Sequence, residues 1–213
     1  MEAIHRYLKL EITDRGVAIL TLDRPEKRNA LDQELVSAIE EALDRLATDP
    51  SVKVVVFTGV DKAFVSGADI AELKERGVAE ALAQINSALF AKIERFVKPT
   101  IAMINGYALG GGLEMALACD LRTASVEAKL GQPEVGLGIL PGAGGCYRLP
   151  RVVGLGIAKE LVYSGRIMTA EESSQVGLVN RVADAEQLRQ VTLELADSIA
   201  RQSALAVRLA KMS

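Results

Sequence analysis

Apolar and polar residues alternate over Leu8–Thr13 and again over Val17–Leu22. Asp14-Arg15-Gly16 between them suits a turn, so the stretch predicts a hairpin. After Pro25 the period changes: Leu31, Leu35, Ile39, Leu43 and Leu46 recur at helical spacing. They predict a helix from about Leu31 to Ala47, with Asn29 as its cap and Glu and Asp on its outer face. Val52–Thr58 is β-branched and nearly continuous, which predicts a strand buried on both faces. A Gly-containing loop runs on to Gly67, followed by predicted helices over Asp69–Arg76 and about Ala79–Phe96. Lys98-Pro99 stops the second of these, and Thr100–Asn105 is another predicted buried strand.

The next stretch departs from both periods. Of the chain's 18 glycines, ten lie between Gly106 and Gly145, among short strands and helix starts. Beyond it the pattern predicts helices at Leu155–Tyr163, Ala170–Val176, Ala185–Ala200 and Ser203–Lys211, with a strand at Leu178–Val182. Strand–helix alternation points to the α/β class, although the early strand pairs do not suit a simple doubly wound sheet.

Composition narrows the chemistry. In 213 residues, 49% hydrophobic content is enough for a sizeable core. A net charge of -3 gives no reason to expect a polyanionic partner. His5, the only histidine, lies in the polar N-terminal segment, which excludes a His-based metal site or a Ser–His dyad. Cys119 and Cys146 show no metal-ligand spacing and read as reduced thiols. No run approaches the roughly 20 apolar residues of a membrane span, and the N-terminus lacks a signal-peptide core, so a soluble, cytoplasmic protein is expected.

Three familiar glycine motifs fail on the letters. Gly136-Leu137-Gly138 is followed by Pro141 where a dinucleotide fingerprint needs its third glycine. Neither Gly-Lys-Ser/Thr nor Gly-x-Ser-x-Gly occurs. What remains is Gly110-Gly111-Gly112, after a predicted strand and before the apolar helix Leu113–Cys119. Consecutive glycines at a helix start leave backbone N–H groups unobstructed, which suits an oxyanion such as the enolate of a thioester. A tight strand-to-helix turn would by itself explain the triplet. Glu114 changes the balance, because Leu117, Ala118 and Gly110 beside it on the helix offer no charge partner. Burial would raise its pKa toward the range useful for acid–base work. Glu134, between Pro133 and the apolar Val135-Gly136-Leu137-Gly138, is a second such carboxylate. Ser66-Gly67-Ala68-Asp69 is a further glycine-bearing turn that could present N–H donors, or simply cap a helix.

Together these residues resemble the enoyl-CoA hydratase/isomerase (crotonase) family. The matching stretches are Arg24-Pro25-Glu26-Lys27-Arg28-Asn29-Ala30-Leu31, Phe64-Val65-Ser66-Gly67-Ala68-Asp69-Ile70 and Lys98-Pro99-Thr100-Ile101-Ala102. More specific are Asn105–Glu114, Gln132-Pro133-Glu134 and Pro141-Gly142-Ala143-Gly144-Gly145. The resemblance implies a crotonase-type spiral of ββα units, with residues 1–185 as the core and 186–213 as the start of a C-terminal helical region. It implies homotrimers or pairs of trimers. It also implies an acyl-CoA substrate with no cofactor beyond the coenzyme A that the substrate carries, no metal, no nucleic acid and no membrane. Carried over by motif, the oxyanion hole is the N–H groups of Ala68 and Gly111. Glu114 deprotonates the attacking water, and Glu134 delivers a proton to the α-carbon. Lys27 and Arg28 lie where CoA phosphates bind, and Ala68, Asp69 and Ile70 line the adenine and pantetheine path. Retention of both glutamates favours hydration of a 2-enoyl-CoA.

Two departures from the family pattern stand out: Cys146-Tyr147 replaces a more usual Thr-Gln, and at Ser213 the sequence is several dozen residues short of a usual member. The second implies a shortened C-terminal helical region. Rival readings are an enoyl-CoA isomerase, a hydratase of branched (methylglutaconyl-type) substrates, an inactive scaffold, and an RNA-binding protein. RNA binding is opposed by charge, since the segment from Asp32 to Asp49 holds six acids and only Arg45 as a base.

Overall fold

A computed structural model describes residues 1–69 and 85–213. Its elements are β1 (Glu2–His5), β2 (Leu8–Ile12), β3 (Val17–Leu22), α1 (Gln33–Thr48), β4 (Val54–Gly59), β5 (Ala63–Val65), α2 (Ile85–Glu94), β6 (Thr100–Ile104) and β7 (Tyr107–Leu109). They continue as α3 (Gly111–Ala118), β8 (Leu121–Ser125), β9 (Lys129–Gly131), α4 (Gly145–Val153), α5 (Leu155–Ser164), β10 (Ile167–Thr169), α6 (Ala170–Gln175), β11 (Arg181–Ala183), α7 (Leu188–Ala200) and α8 (Ala204–Met212).

Two sheets organise the chain. Seven strands run in the order β1-β2-β3-β4-β6-β8-β11, and four in the order β10-β9-β7-β5. The predicted hairpin is β2–β3, paired antiparallel, whereas β3 to β4, β4 to β6, β6 to β8 and β8 to β11 are parallel. Successive strand pairs β4/β5, β6/β7 and β8/β9 each put one strand in each sheet. That splitting makes the spiral of ββα units and explains why a doubly wound order did not fit.

The corner between the sheets needs particular residues. A Cβ on Gly59 would stand 2.0 Å from the Ala63 carbonyl oxygen, and one on Gly106 would stand 2.0 Å from that of Lys62. Asn105 closes the corner by accepting from the Gly59 N–H at 3.2 Å and donating to the Asp61 carbonyl at 2.9 Å. The middle of the larger sheet is covered on both faces, as the apolar strands β3, β4 and β6 require. Leu35, Ile39, Leu43 and Leu46 of α1 enter the main core, while Leu188, Ala196 and Ala200 of α7 pack with Val17, Ile19, Val54 and Val56 on the opposite face.

Several local expectations are corrected. Asp32, not Asn29, caps α1, its side chain accepting from the Leu35 N–H at 2.8 Å. Asn29 is instead buried at φ 57° with its side chain spent on the surrounding backbone. The strand predicted at Val52–Thr58 is β4, two residues further on at its start, and that predicted at Leu178–Val182 is β11, whose ladder with β8 begins only at Arg181. The helix predicted over Asp69–Arg76, and the first part of that over Ala79–Phe96, lie outside the described residues. β1, β10 and α4 are additional, and β5 lies in the stretch expected to be a loop up to Gly67; glycines 144 and 145 and Pro150 hide α4 from a periodicity reading.

Candidate active site

The glycine triplet turns β7 into α3. Gly110 has φ 54° and ψ −122°, a conformation that favours glycine, and its N–H donates to the Gly131 carbonyl at 2.9 Å. Gly112 lies against β5 so closely that a Cβ would stand 1.9 Å from the Val65 carbonyl oxygen. The triplet is therefore a packing device, as its plainer reading held. It also leaves donors exposed, because the N–H of Gly111 falls in the first turn of α3, where the helix supplies no acceptor.

Ala68 supplies the facing backbone. Leu31 and Ala68 form an isolated parallel bridge, in which the Leu31 N–H donates to the Gly67 carbonyl and the Asp69 N–H to the Leu31 carbonyl, both at 2.9 Å. The bridge thus occupies groups on either side of residue 68 and turns the Ala68 N–H the other way. A Cβ placed on Gly111 would lie 3.4 Å from the Ala68 nitrogen. The two residues singled out in the sequence are therefore neighbours across this gap.

Both glutamates reach the same place. Glu114 in α3 is 3% exposed, and its Oε1 accepts from the N–H groups of Ala143 and Gly145, each at 2.8 Å. Burial pushes its pKa up; those two donors and the nearby Arg148 guanidinium oppose the shift. Glu134 opens a short 3₁₀ turn, Glu134–Leu137, after Pro133. Its carboxyl lies over the start of α3, since a Cβ on Gly110 would stand 3.2 Å from Oε1. Burial, helped by the charge of Glu114, pushes it up to about 7, with its own N–H opposing. Gln132 is fully buried beside it, and with its amide set to satisfy both side chains, the nitrogen donates to the two carboxylate oxygens at 2.8 and 3.1 Å.

The glutamates thus have different surroundings. Glu114 has two backbone donors and the Arg148 charge to favour the ion, whereas burial and the charge of Glu114 outweigh the donors at Glu134 and make it the group more readily held as the acid. Partial burial of the Cys146 thiol raises its pKa, and both carboxylates add to the shift. Cys119 is buried and pushed up to about 12, so it is no nucleophile.

A profile of the enoyl-CoA hydratase/isomerase family matches residues 12–213. The chain belongs to this family. It is 44% identical over 201 residues to a crotonyl-CoA hydratase of Syntrophomonas wolfei, covering 93% of this chain and 77% of that protein. It is 41% identical over 200 residues to a short-chain-enoyl-CoA hydratase of Clostridium acetobutylicum, covering 92% and 77%. Among solved structures, an enoyl-CoA hydratase from Bacillus anthracis superposes with a TM-score of 0.94 at 37% identity, over 97% of this chain and 81% of that one. The fold is that of the crotonases.

Of the residues expected along the coenzyme, Lys27 and Arg28 close a short 3₁₀ turn within the loop between β3 and α1. Arg28 lines a cavity of about 690 Å³ with Pro25, Lys62 and Tyr107. The Asp69 carboxylate faces Arg24 at 3.2 Å and Lys27 at 3.7 Å. Ile70 lies outside the described residues. Sequence reasoning missed Lys62, which only the β5–β7 corner brings to Arg28, and Arg148. The Arg148 signal was present, as an arginine one turn after a Gly-Gly pair, but nothing in the letters joined it to Glu114.

Proposed function

We propose that the protein hydrates the 2,3 double bond of a 2-enoyl-CoA to give the 3-hydroxyacyl-CoA. The observation that carries this is the convergence of two buried, unlike carboxylates beside two backbone N–H groups. An enzyme that only moves a proton along the acyl chain needs one acid–base group, whereas adding water needs a base for the water and an acid for the carbon.

The steps balance on this chain's own groups. The Ala68 and Gly111 N–H groups hold the thioester oxygen as it becomes negative. The Glu114 carboxylate takes a proton from water as the hydroxyl bonds to C3. Glu134, as the acid, gives its proton to C2. The single proton of the pair ends on Glu114; Glu114 releases it to solvent and Glu134 takes one from solvent, which resets the pair. The reading needs no cofactor and no metal, since coenzyme A arrives as part of the substrate. Arg28, Lys62 and Lys27 supply positive charge for its phosphates, and the Ala68–Ile70 stretch is assigned to its adenine and pantetheine.

Assembly into a trimer or pair of trimers is part of the proposal. Leu137, Ile139 and Leu140 stand 64%, 51% and 66% exposed next to Glu134, a patch of the kind that self-association covers. A cytoplasmic setting fits the two free thiols, and no helix among the described residues is long and apolar enough to cross a membrane.

The test is loss of the enoyl-thioester absorbance of crotonyl-CoA. Wild type should consume it, and Glu114→Gln and Glu134→Gln should each slow that by at least about a hundredfold. A folded wild type that leaves crotonyl-CoA and longer or branched enoyl-CoAs untouched would exclude hydration.

A further inference from the structure

The loop that aims Glu114 is itself held from the other side. Residues Ala143 and Gly145 give their N–H groups to Glu114, and the carbonyls of Gly142 and Ala143 accept from side chains of α2 and α4. The Gly142 carbonyl accepts from the Ser87 hydroxyl of α2 at 3.3 Å. The Ala143 carbonyl accepts from Nη1 of Arg148 at 2.9 Å, and Nη2 of the same guanidinium donates to Glu94 of α2 at 2.7 Å. Arg148 is 3% exposed, and its guanidinium lies 4.7 Å from the Tyr147 ring centre. The path into this position depends on Gly144, at φ 113°, where a Cβ would stand 2.1 Å from Arg148 Nη1. A buried guanidinium that bridges one carbonyl and one carboxylate has a fixed fork geometry that a lysine lacks.

We propose that Arg148, paired with Glu94, is the positioning residue for Glu114, holding the 142–145 loop so that its N–H groups aim the carboxylate at the water. The proposal deepens the hydratase reading and rests on it for the role of Glu114. Arg148 touches neither substrate nor water in this account; it acts through the loop and through its charge.

Charge supplies the readout that a purely structural role would not move. Among the described residues, Glu114 faces Arg148 and Cys146 of α4 and Glu134 of the preceding turn, and Glu94 of α2 pairs with that same Arg148. Arg122 of β8 is turned instead to the Ala116 and Cys119 carbonyls at the far end of α3. Removing the Arg148 charge should make Glu114 harder to ionise, and removing the Glu94 charge should make it easier. The acid limb of kcat should therefore move to higher pH in Arg148→Met and to lower pH in Glu94→Gln. The latter keeps a hydrogen-bond acceptor for the guanidinium.

The experiment compares the full-length wild type with Arg148→Met, Arg148→Lys and Glu94→Gln, in kcat and KM for crotonyl-CoA across pH. Arg148→Met should lose about tenfold or more in kcat with little change in KM, as expected for lost alignment. Arg148→Lys should restore the acid limb but only part of kcat. If Arg148→Met does not fold, the other two decide: wild-type kcat and an unmoved acid limb in both would overturn the proposal. Carbon-13 titration of the Glu114 carboxyl needs no turnover. A wild type without hydratase activity whose Glu114 titration still shifts between wild type and Glu94→Gln would sink the hydratase reading and leave the positioning role intact.

Discussion

Glu134 stands close against Gly110: a Cβ at residue 110 would lie 3.2 Å from Oε1, tight enough that the carboxyl would have to give way slightly. Gly110 also holds φ 54° and ψ −122°, so Gly110→Ala combines backbone strain of about 1–3 kcal/mol with displacement of the acid. We expect kcat to fall by about tenfold to a hundredfold, with a smaller change in KM. Steady-state kinetics on the folded variant checks this, and an unchanged kcat would mean that Glu134 tolerates a shift of position.

The carboxylates set the pH profile together. Glu134 must carry a proton to give, and its pKa lies at about 7, so kcat/KM for crotonyl-CoA should decline as pH rises through that value. In Glu134→Gln the residual activity should lose this alkaline limb. A rate rising steadily beyond about pH 8 in wild type would assign the proton to another donor.

The same burial weakens the fold at alkaline pH. A carboxyl raised from an ordinary 4.5 to about 7 in the folded state adds stability fully below the lower value, and that contribution is lost as pH rises through the upper one. Glu134→Gln should therefore melt at a higher temperature than wild type near pH 8. Near pH 5 the two should almost coincide. Thermal melts at both pH values read the sign directly.

The Arg28 and Lys62 groove should act in binding alone. Both line the 690 Å³ cavity, away from the paired glutamates. Arg28→Ala and Lys62→Ala should raise KM by about threefold to tenfold with kcat nearly kept, which is the mark of uniform binding. The effect should shrink at high salt, because exposed charges are screened. Activity on a pantetheine thioester lacking the nucleotide should be the same in variants and wild type.

Asn29 joins this groove to the fold. It is fully buried, accepts from the Arg24 N–H at 2.9 Å and donates to the Ala63 carbonyl at 2.8 Å. Asn29→Ala leaves those backbone groups unpaired and keeps a left-handed φ of 57°, so a loss of about 2–4 kcal/mol is expected. Denaturant unfolding measures it, and a loss below about 1 kcal/mol would show that the loop repairs itself.

Local pattern alone determined a good deal. The alternation at residues 8–22 is β2 and β3, and Leu35, Ile39, Leu43 and Leu46 lie on the buried face of α1. These follow from which side chains a strand or helix can turn inward, a property of adjacent letters. The oddness of Glu114 and Glu134 was legible for the same reason, since a carboxylate in apolar surroundings is costly wherever it sits. The motif resemblance joined them to Ala68 and Gly111, and so reached the family that the comparisons show.

Tertiary structure decided what distance decides. Glu114 has no charge partner on its own helix, yet it receives two N–H groups from residues 143 and 145, about thirty positions along the chain. The same closure brings Lys62 to Arg28, and Glu94 to Arg148 across more than fifty residues. It also separates the carboxylates into one on two backbone N–H groups and one set between Gly110 and the Gln132 amide. Sequence places chemistry on elements. Whether that chemistry is buried, paired or charged depends on what long-range packing sets against it, because desolvation and Coulomb interaction act through space and not along the chain.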